Sequence, residues 1–286
     1  MSAPQLTADP HPELERAADA AFGDLVGSRA VRTGQAALEL AGLTKRYGSV
    51  TAVDGIDLRI PAGSFYGIVG PNGAGKTTTL SMVTGMIRPD RGSVAVYGHD
   101  LISDSTAAKR VLGVLPDRLR LFDRLTGAQL LHYAGSLRGL DRATIGRRAT
   151  DLAVAFGLST SLARPVSDYS VGMTKKIAIA AALIHAPRML VLDEPFESVD
   201  PVSAASVLHV LRRFTDAGGT VLLSSHSMEL IESTCDSLAI IVAGRILAAG
   251  PTAEVLSGVT LEDRFVELAG GRSAVEGMEW LHSYGD

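Results

Sequence analysis

Apolar residues alternate with polar ones near the start of the chain and form unbroken runs further on. The alternating positions include Leu38, Leu40, Ile56, Leu58 and Ile60. This spacing predicts strands with one buried face, whereas a short unbroken apolar run predicts a strand buried on both faces. The unbroken runs are Phe65–Val69, Leu112–Leu115, Met189–Leu192 and residues 221–224 and 239–242, and residues 93–97 are a further predicted strand.

Apolar residues have helical spacing over about residues 117–175, as at Leu130, Tyr133, Leu137 and Leu152. This spacing predicts a helical insertion between two of the strands. Strands separated by helical segments favour a mainly parallel sheet covered on both faces. The sequence therefore predicts the α/β class.

The two ends of the chain differ from its middle. Residues 1–36 are polar and rich in alanine, which predicts an N-terminal extension that is either a short amphipathic helix or mobile. We expect one domain over residues 37–256, followed by a helical tail over residues 257–286. In that tail, Leu261, Phe265 and Leu268 predict the helix, and Trp280 is a candidate anchor.

Composition narrows the possible classes of protein. The 286 residues carry 27 basic and 31 acidic side chains, a net charge of −4, which argues against a general nucleic-acid binder. A single cysteine excludes an internal disulfide framework and fits a reducing compartment. The longest uncharged apolar stretch, residues 177–187, is well short of a membrane-spanning helix. The N-terminus also lacks the features of a signal peptide.

A phosphate-binding loop is the most specific motif in the chain. It follows the strand at Phe65–Val69 and precedes a predicted helix, as the pattern G-x-x-x-x-G-K-[ST] requires. The glycines let successive N–H groups point into one nest, Lys76 supplies a cation, and Thr77 offers a hydroxyl to Mg²⁺. The predicted binding residues are Gly70, Pro71, Asn72, Gly73, Ala74, Gly75, Lys76, Thr77 and Thr78.

Polar residues follow two other predicted strands. Asp193 and Glu194 come directly after Met189–Leu192, and His226 comes after residues 221–224. Ligands of open α/β sheets bind at the carboxyl ends of strands, so these side chains are candidates to meet the phosphates. Asp193 is a candidate Mg²⁺ ligand, Glu194 a candidate base for the attacking water, and His226 a candidate γ-phosphate contact. The structural alternative is that Asp193 only caps a helix.

Ser170, Gly172 and Asp200 lie ahead of two predicted helices, and the first of these helices has an apolar face at Ile177, Ala180, Ala181 and Ile184. Ser170 and Asp200 are good helix N-caps, which is one interpretation of both. The other interpretation, for Ser170 and Gly172, is that a serine hydroxyl, free N–H groups and a helix dipole bind a phosphate there.

Taken together, the residues from about 38 to 256 resemble the ATP-binding subunit of ABC transporters. Tyr47 is similar to the aromatic residue that stacks on adenine, and residues 70–77 are similar to the Walker A loop. Asp193 and Glu194 resemble the Walker B aspartate and the catalytic glutamate, and His226 resembles the switch histidine. The resemblance implies that Lys76, Glu194 and His226 serve catalysis.

Three further segments follow in the order of that family. Asp117 lies where most members carry the Q-loop glutamine, so it is a candidate contact for ATP and Mg²⁺ beside Thr77 and Asp193. Residues 169–173 resemble the signature motif, with Ser170 and Gly172 kept, and Asp200 closes a D-loop. Because the signature reads Tyr-Ser-Val-Gly-Met, it resembles the subfamily that exports drugs and antibiotics. Asp117 is expected to alter coupling to the membrane partner without abolishing activity.

The resemblance implies a P-loop NTPase core with a mainly parallel sheet, an antiparallel β subdomain and an inserted α-helical subdomain. It also implies ATP and Mg²⁺ as cofactors, a second ATP-binding subunit facing the first as a homodimer, and separate transmembrane permease subunits. The protein is expected at the cytoplasmic face of the membrane, hydrolysing ATP to drive export, without a nucleic-acid partner.

Two alternatives remain open from the sequence. One is a soluble ABC-type ATPase acting on nucleic acid or ribosomes, although such relatives usually carry two nucleotide domains, coiled-coil insertions or basic arms. The other is a regulatory ATP-binding module that does not hydrolyse ATP, in which Asp117 and Val171 mark lost activity.

Overall fold

The strands of this chain form two sheets, as shown by a computed structural model that describes residues 34–117 and 120–269. The predicted N-terminal helix and Trp280 therefore lie outside the described residues. The strands are β1 Ala36–Tyr47, β2 Val50–Pro61, β3 Phe65–Val69, β4 Arg91–Val96, β5 His99–Asp100, β6 Leu112–Leu115, β7 Met189–Leu192, β8 Thr220–Ser225, β9 Ser237–Val242 and β10 Arg245–Pro251.

The larger sheet has six strands in the order β10-β9-β3-β8-β7-β6. All its neighbouring strands pair in parallel except β10, which pairs antiparallel with β9. The unbroken apolar runs correctly predicted β3, β6, β7, β8 and β9, because these strands are buried on both faces. The mainly parallel sheet is therefore confirmed.

The smaller sheet has four antiparallel strands in the order β2-β1-β4-β5. Ile56, Leu58 and Ile60 of β2 are buried, whereas Asp57 and Arg59 between them are exposed, as the alternation predicted. The buried face packs into a cluster shared with Leu80, Met82 and Val83. This arrangement confirms the antiparallel β subdomain.

Helices cover the larger sheet and fill the predicted insertion. They are α1 Lys76–Val83, α2 Ser105–Arg110, α3 Gly127–Leu137, α4 Arg142–Ala155, α5 Val171–Leu183, α6 Pro201–Asp216, α7 Met228–Thr234, α8 Thr252–Leu256 and α9 Leu261–Leu268, with a 3₁₀ turn at Val166–Asp168. Thr126 and Gln129 form a reciprocal capping box at the start of α3. Helix α9 confirms the helix predicted from Leu261, Phe265 and Leu268.

Helix α5 departs from its predicted pattern. The sequence marked one apolar face, at Ile177, Ala180, Ala181 and Ile184, but Ala178, Ile179 and Ala182 are also buried. The one-face interpretation was incomplete, because α5 packs against β6, α3, α4 and α6 at once. A helix buried on most sides loses the amphipathic pattern.

The burial of Phe156 gives a test of how the helical insertion is held. Phe156 is fully buried at the end of α4, in the same cluster as residues of α3 and α5. Replacing Phe156 by alanine is expected to lower the free energy of unfolding by about 3–5 kcal/mol, because it leaves a cavity. Denaturant or thermal unfolding of the purified chain measures this loss.

Phe122 provides the matched control, because it is 56% exposed. Its ring packs edge to face on Tyr133, with the ring centroids 5.1 Å apart. Phe122→Ala is therefore expected to cost at most about 1.5 kcal/mol. Equal losses for the two variants would contradict the packing described for Phe156.

Candidate functional site

Three strand ends bring the predicted residues to one edge of the larger sheet. Strands β3, β8 and β7 are neighbours and run in parallel, with Val69 paired to Ser225 and Leu192 paired to Leu223. Their carboxyl ends therefore lie at one edge of the sheet. Gly70, Asp193 and His226 each follow one of these strands, so the topology alone places them together.

The phosphate-binding loop needs glycine at its last position before α1. Gly75 has φ +104°, and a β-carbon there would lie 2.4 Å from the carbonyl oxygen of Ala52. Only glycine adopts this conformation and leaves this space. Helix α1 then begins at Lys76, so its unpaired N–H groups face the loop.

Lys76 is buried beneath the loop, with only 6% of its surface exposed. Its Nζ donates hydrogen bonds to the carbonyl oxygens of Gly70, at 2.7 Å, and Pro71, at 3.3 Å. The Nζ also lies 3.8 Å from Oε1 of Glu194. The cation therefore bridges the loop and the carboxylate that follows β7.

A cleft of about 520 Å³ opens over the loop. Tyr47 lies at its rim, half exposed, with the Nζ of Lys45 5.7 Å from its ring centroid. The lining residues are Tyr47, Ala52, Pro71, Asn72, Gly73, Ala74, Gly75, Lys76, Thr77, Thr78, Asp117, Glu194, Glu197 and His226. The structure thus brings most of the predicted binding residues around one cleft.

Asp193 lies deeper than the cleft lining and is only 4% exposed. Ser224 Oγ donates a hydrogen bond to its Oδ1 at 2.5 Å, and the side chain of Thr77 also hydrogen-bonds to it. Burial raises the pKa of Asp193, while the bonds from Ser224 and Thr77 oppose that rise. The helix-cap alternative for Asp193 is wrong, because the next helix begins at Pro201 and is capped by Asp200.

Glu194 has an uncommon backbone conformation for a residue with a side chain, with φ +46°. Its N–H donates to Ser224 Oγ at 3.0 Å, and its carbonyl oxygen accepts from Lys175 Nζ at 2.9 Å. Its Oε2 lies 3.1 Å from Nδ1 of His226. The carboxylate of Glu194 therefore lies between Lys76 and His226. Ser224 and Lys175 hold the backbone N–H and carbonyl groups of the same residue.

Lys175 and Ser224 were missed in the sequence, although both contact Glu194. Lys175 lies in α5 and is 8% exposed, so its charge is buried. Burial lowers the pKa of Lys175, and the nearby carboxylates of Glu197, Asp117, Glu194 and Asp193 oppose that shift. The one available signal in the sequence was a pair of lysines, Lys175 and Lys176, directly before the apolar part of the helix.

Ser170, Gly172 and Asp200 form a second group that does not line the cleft. Ser170 Oγ accepts a hydrogen bond from the N–H of Met173, and Asp200 Oδ1 accepts one from Ser203, which confirms both as N-caps. A β-carbon at Gly172 would lie 2.9 Å from Oδ2 of Asp200. The predicted site residues therefore fall into two separate groups within one chain.

Asp117 follows β6 and connects the cleft to a neighbouring cavity of about 340 Å³. That cavity also includes Thr77 and Asp193, and its other walls are mostly apolar, from α1 and β6. The carboxylate of Asp117 is thus near enough to Asp193 to raise the pKa of Asp193 by charge repulsion.

The described residues include no helix long and apolar enough to cross a membrane.

Comparison with known proteins identifies the family. The ABC transporter family profile matches residues 53–197. The chain is 40% identical to the daunorubicin/doxorubicin resistance ATP-binding protein DrrA of Streptomyces peucetius, over 78% of this chain and 68% of DrrA. It is 34% identical to the linearmycin resistance ATP-binding protein LnrL of Bacillus subtilis, over 77% of this chain and 71% of LnrL.

A solved structure of the ATP binding subunit of an ABC transporter superposes with a TM-score of 0.76. It is 29% identical in sequence, and the match covers 81% of this chain and 99% of that one. The fold, the cleft and these similarities agree. The chain therefore belongs to the ABC transporter family as an ATP-binding subunit, an ATPase of the P-loop fold.

Proposed function

We propose that this subunit binds MgATP in the cleft above the phosphate-binding loop and hydrolyses it to drive export through separate membrane subunits. It would work as a homodimer at the cytoplasmic face of the membrane. The observation that carries this proposal is that Lys76, Asp193, Glu194 and His226 converge at one sheet edge.

The proposed position of ATP follows from the chemistry of the cleft walls. The exposed ring of Tyr47 offers a stacking surface for adenine at the rim. The loop amides, the start of α1 and Lys76 offer positive charge for the phosphates at the other end. Lys76 would then exchange its contacts with the carbonyl oxygens of Gly70 and Pro71 for phosphate oxygens.

The donor set beside the loop fits Mg²⁺. Thr77 and Asp193 are in hydrogen-bond contact and supply a hydroxyl and a carboxylate oxygen, the ligand types that Mg²⁺ prefers. Among the described residues, no group of three or more His, Cys, Asp and Glu could hold a metal ion by itself. Phosphate and water oxygens would therefore complete the shell, with Asp117 as a further candidate ligand. When bound, Mg²⁺ neutralises charge on the phosphates.

Glu194 is proposed as the group that orients and polarises the attacking water. Its carboxylate lines the cleft and is anchored by Lys76 at 3.8 Å and by His226 at 3.1 Å. A fixed carboxylate acts without reorganising during the reaction, which lowers the barrier. His226 is exposed to the cleft and offers a nitrogen for the γ-phosphate.

A dimer would give the second group of residues a function. Ser170 and the start of α5 offer hydroxyl and amide donors, yet they do not line the cleft of their own chain. Two identical chains related by a two-fold axis could each present Ser170 and Gly172 to the other's ATP. Asp200, which lies beside Gly172, would then belong to the same interface.

The export role rests on the relatives and on one exposed apolar surface. DrrA and LnrL are named for resistance to daunorubicin, doxorubicin and linearmycin, so we propose a drug- or antibiotic-like substrate. Phe122, Tyr133 and Leu137 are exposed together near and on α3, and the first two rings pack edge to face. Exposed apolar groups of this kind mark protein interfaces, so we propose that the permease docks there.

The nucleic-acid alternative is not favoured, because the chain has a net charge of −4 and belongs to the ABC transporter family. The non-hydrolysing alternative conflicts with the intact pair of Glu194 and His226. A basal ATPase activity in the purified chain would separate the hydrolysing interpretation from a purely regulatory one.

Glu194→Gln tests the proposed catalytic role. The amide keeps the shape of the side chain but cannot accept a proton, so kcat is expected to fall by about 10²–10⁴-fold. ATP binding should persist, because the loop and Lys76 are unchanged. Phosphate release and equilibrium binding of a fluorescent ATP analogue measure the two quantities.

Glu229→Gln is the matched control for that variant. Glu229 is an exposed residue of α7 outside the cleft. The substitution makes the same chemical change there, from a carboxylate to an amide. Its turnover is expected to stay within about twofold of the unmodified protein. If Glu194→Gln also kept turnover within a few-fold, the catalytic role of Glu194 would be wrong.

Ser170→Arg tests the dimer. A bulky cation at the start of α5 should block the second chain while leaving the cleft of its own chain intact. ATP affinity of the monomer is expected to stay within about threefold, whereas ATP-dependent dimers and hydrolysis are lost. Light scattering after size exclusion, with Mg²⁺ and ATP, measures assembly.

Ser136→Arg is the control for assembly, because Ser136 is an exposed residue of α3. This variant should dimerise and hydrolyse ATP like the unmodified chain when no membrane partner is present. Undiminished dimerisation of Ser170→Arg would contradict a dimer built on this end of α5.

A further inference from the structure

We infer that Lys175 is a positioning residue that holds the peptide of Glu194 in its active geometry, an inference that rests on the proposed catalytic role of Glu194. Lys175 has no part in the phosphate-binding loop and does not line the cleft. It acts through Glu194, whose carbonyl oxygen accepts its hydrogen bond at 2.9 Å.

The first argument is the backbone of Glu194. A residue with a β-carbon rarely adopts φ +46°, and such a conformation persists only where the surroundings fix it. Two side chains fix it here: Ser224 Oγ accepts from the N–H of Glu194, and Lys175 Nζ donates to its carbonyl oxygen. Loss of either contact would let the peptide rotate and move the carboxylate.

The second argument is the setting of Lys175. Its side chain is 8% exposed, and its charge faces the carboxylates of Glu197, Asp117, Glu194 and Asp193. A buried cation is retained only where partners satisfy it, so these contacts are specific. The cation also reduces repulsion among carboxylates that must share one site.

The third argument is the helix that carries Lys175. Helix α5 begins at Val171 with Ser170 as its N-cap, and Lys175 lies further along the same helix. The helix packs against β6, α3, α4 and α6, which makes it a rigid support. One rigid element therefore presents Ser170 toward a second chain and holds Glu194 of its own chain through Lys175.

Lys175→Met and Lys175→Arg test this role in the full chain with MgATP. Methionine keeps the apolar stem but removes the donor and the charge, so kcat is expected to fall at least about tenfold while KM for ATP stays within about threefold. Arginine keeps both donor and charge and should recover a large part of kcat. Lys109→Met, an exposed lysine of α2, is the control and should match the unmodified protein.

The outcomes separate this inference from the proposed function. If Glu194→Gln keeps normal turnover, the proposed catalytic role is wrong. If Glu194→Gln abolishes turnover but Lys175→Met stays within about twofold, the role of Lys175 is overturned. Equal losses in the methionine and arginine variants, with raised KM, would also overturn it, because they would indicate a packing defect. If Lys175→Met does not fold, Lys175→Gln replaces it, with the same expected split between kcat and KM.

Discussion

The parallel pairing of β3, β8 and β7 is the constraint on which the rest of the structure depends. Because these strands run in the same direction, they deliver Gly70, Asp193 and His226 to one edge of the sheet. A reversed strand would carry its polar residue to the opposite edge. Because the strands are buried on both faces, the charged groups can lie only beyond the ends of the strands.

Charge balance is the second requirement, since several carboxylates meet where little water reaches. Asp193 is 4% exposed, and Glu194 and Asp117 lie near it. Lys76 approaches this group from the loop, and Lys175 approaches it from α5. Buried charges of one sign are tolerated only where opposite charges or hydrogen bonds accompany them. The two lysines supply the opposite charges for these carboxylates. The site thus already combines a group of carboxylates with the lysine cations that balance their charge.

Local patterns predicted most of the scaffold but little of the support around Glu194. The unbroken run at Met189–Leu192 and the loop before Lys76 were recognisable, because each depends on adjacent residues. The surroundings of α5 were not, because burial on several sides arises only from tertiary packing. Lys175 and Ser224 each reach Glu194 from a distant part of the chain, so no spacing rule indicates them. The left-handed backbone at Glu194 likewise has no local sequence signal.

The division of the predicted site residues into two groups follows from this architecture. Helix α5 packs against β6 and the helical insertion, and the end that carries Ser170 does not line the cleft of its own chain. The start of α5 does not line the cleft over the phosphate-binding loop, and this placement is the reason for our proposal that it contacts the ATP of a second chain. Lys175 then gives the same helix a contact with the chain's own Glu194. In the proposed dimer, a rigid helix that contacts both ATP sites would make the geometry of one site depend on ligand binding at the other, and this dependence would let the two sites act together.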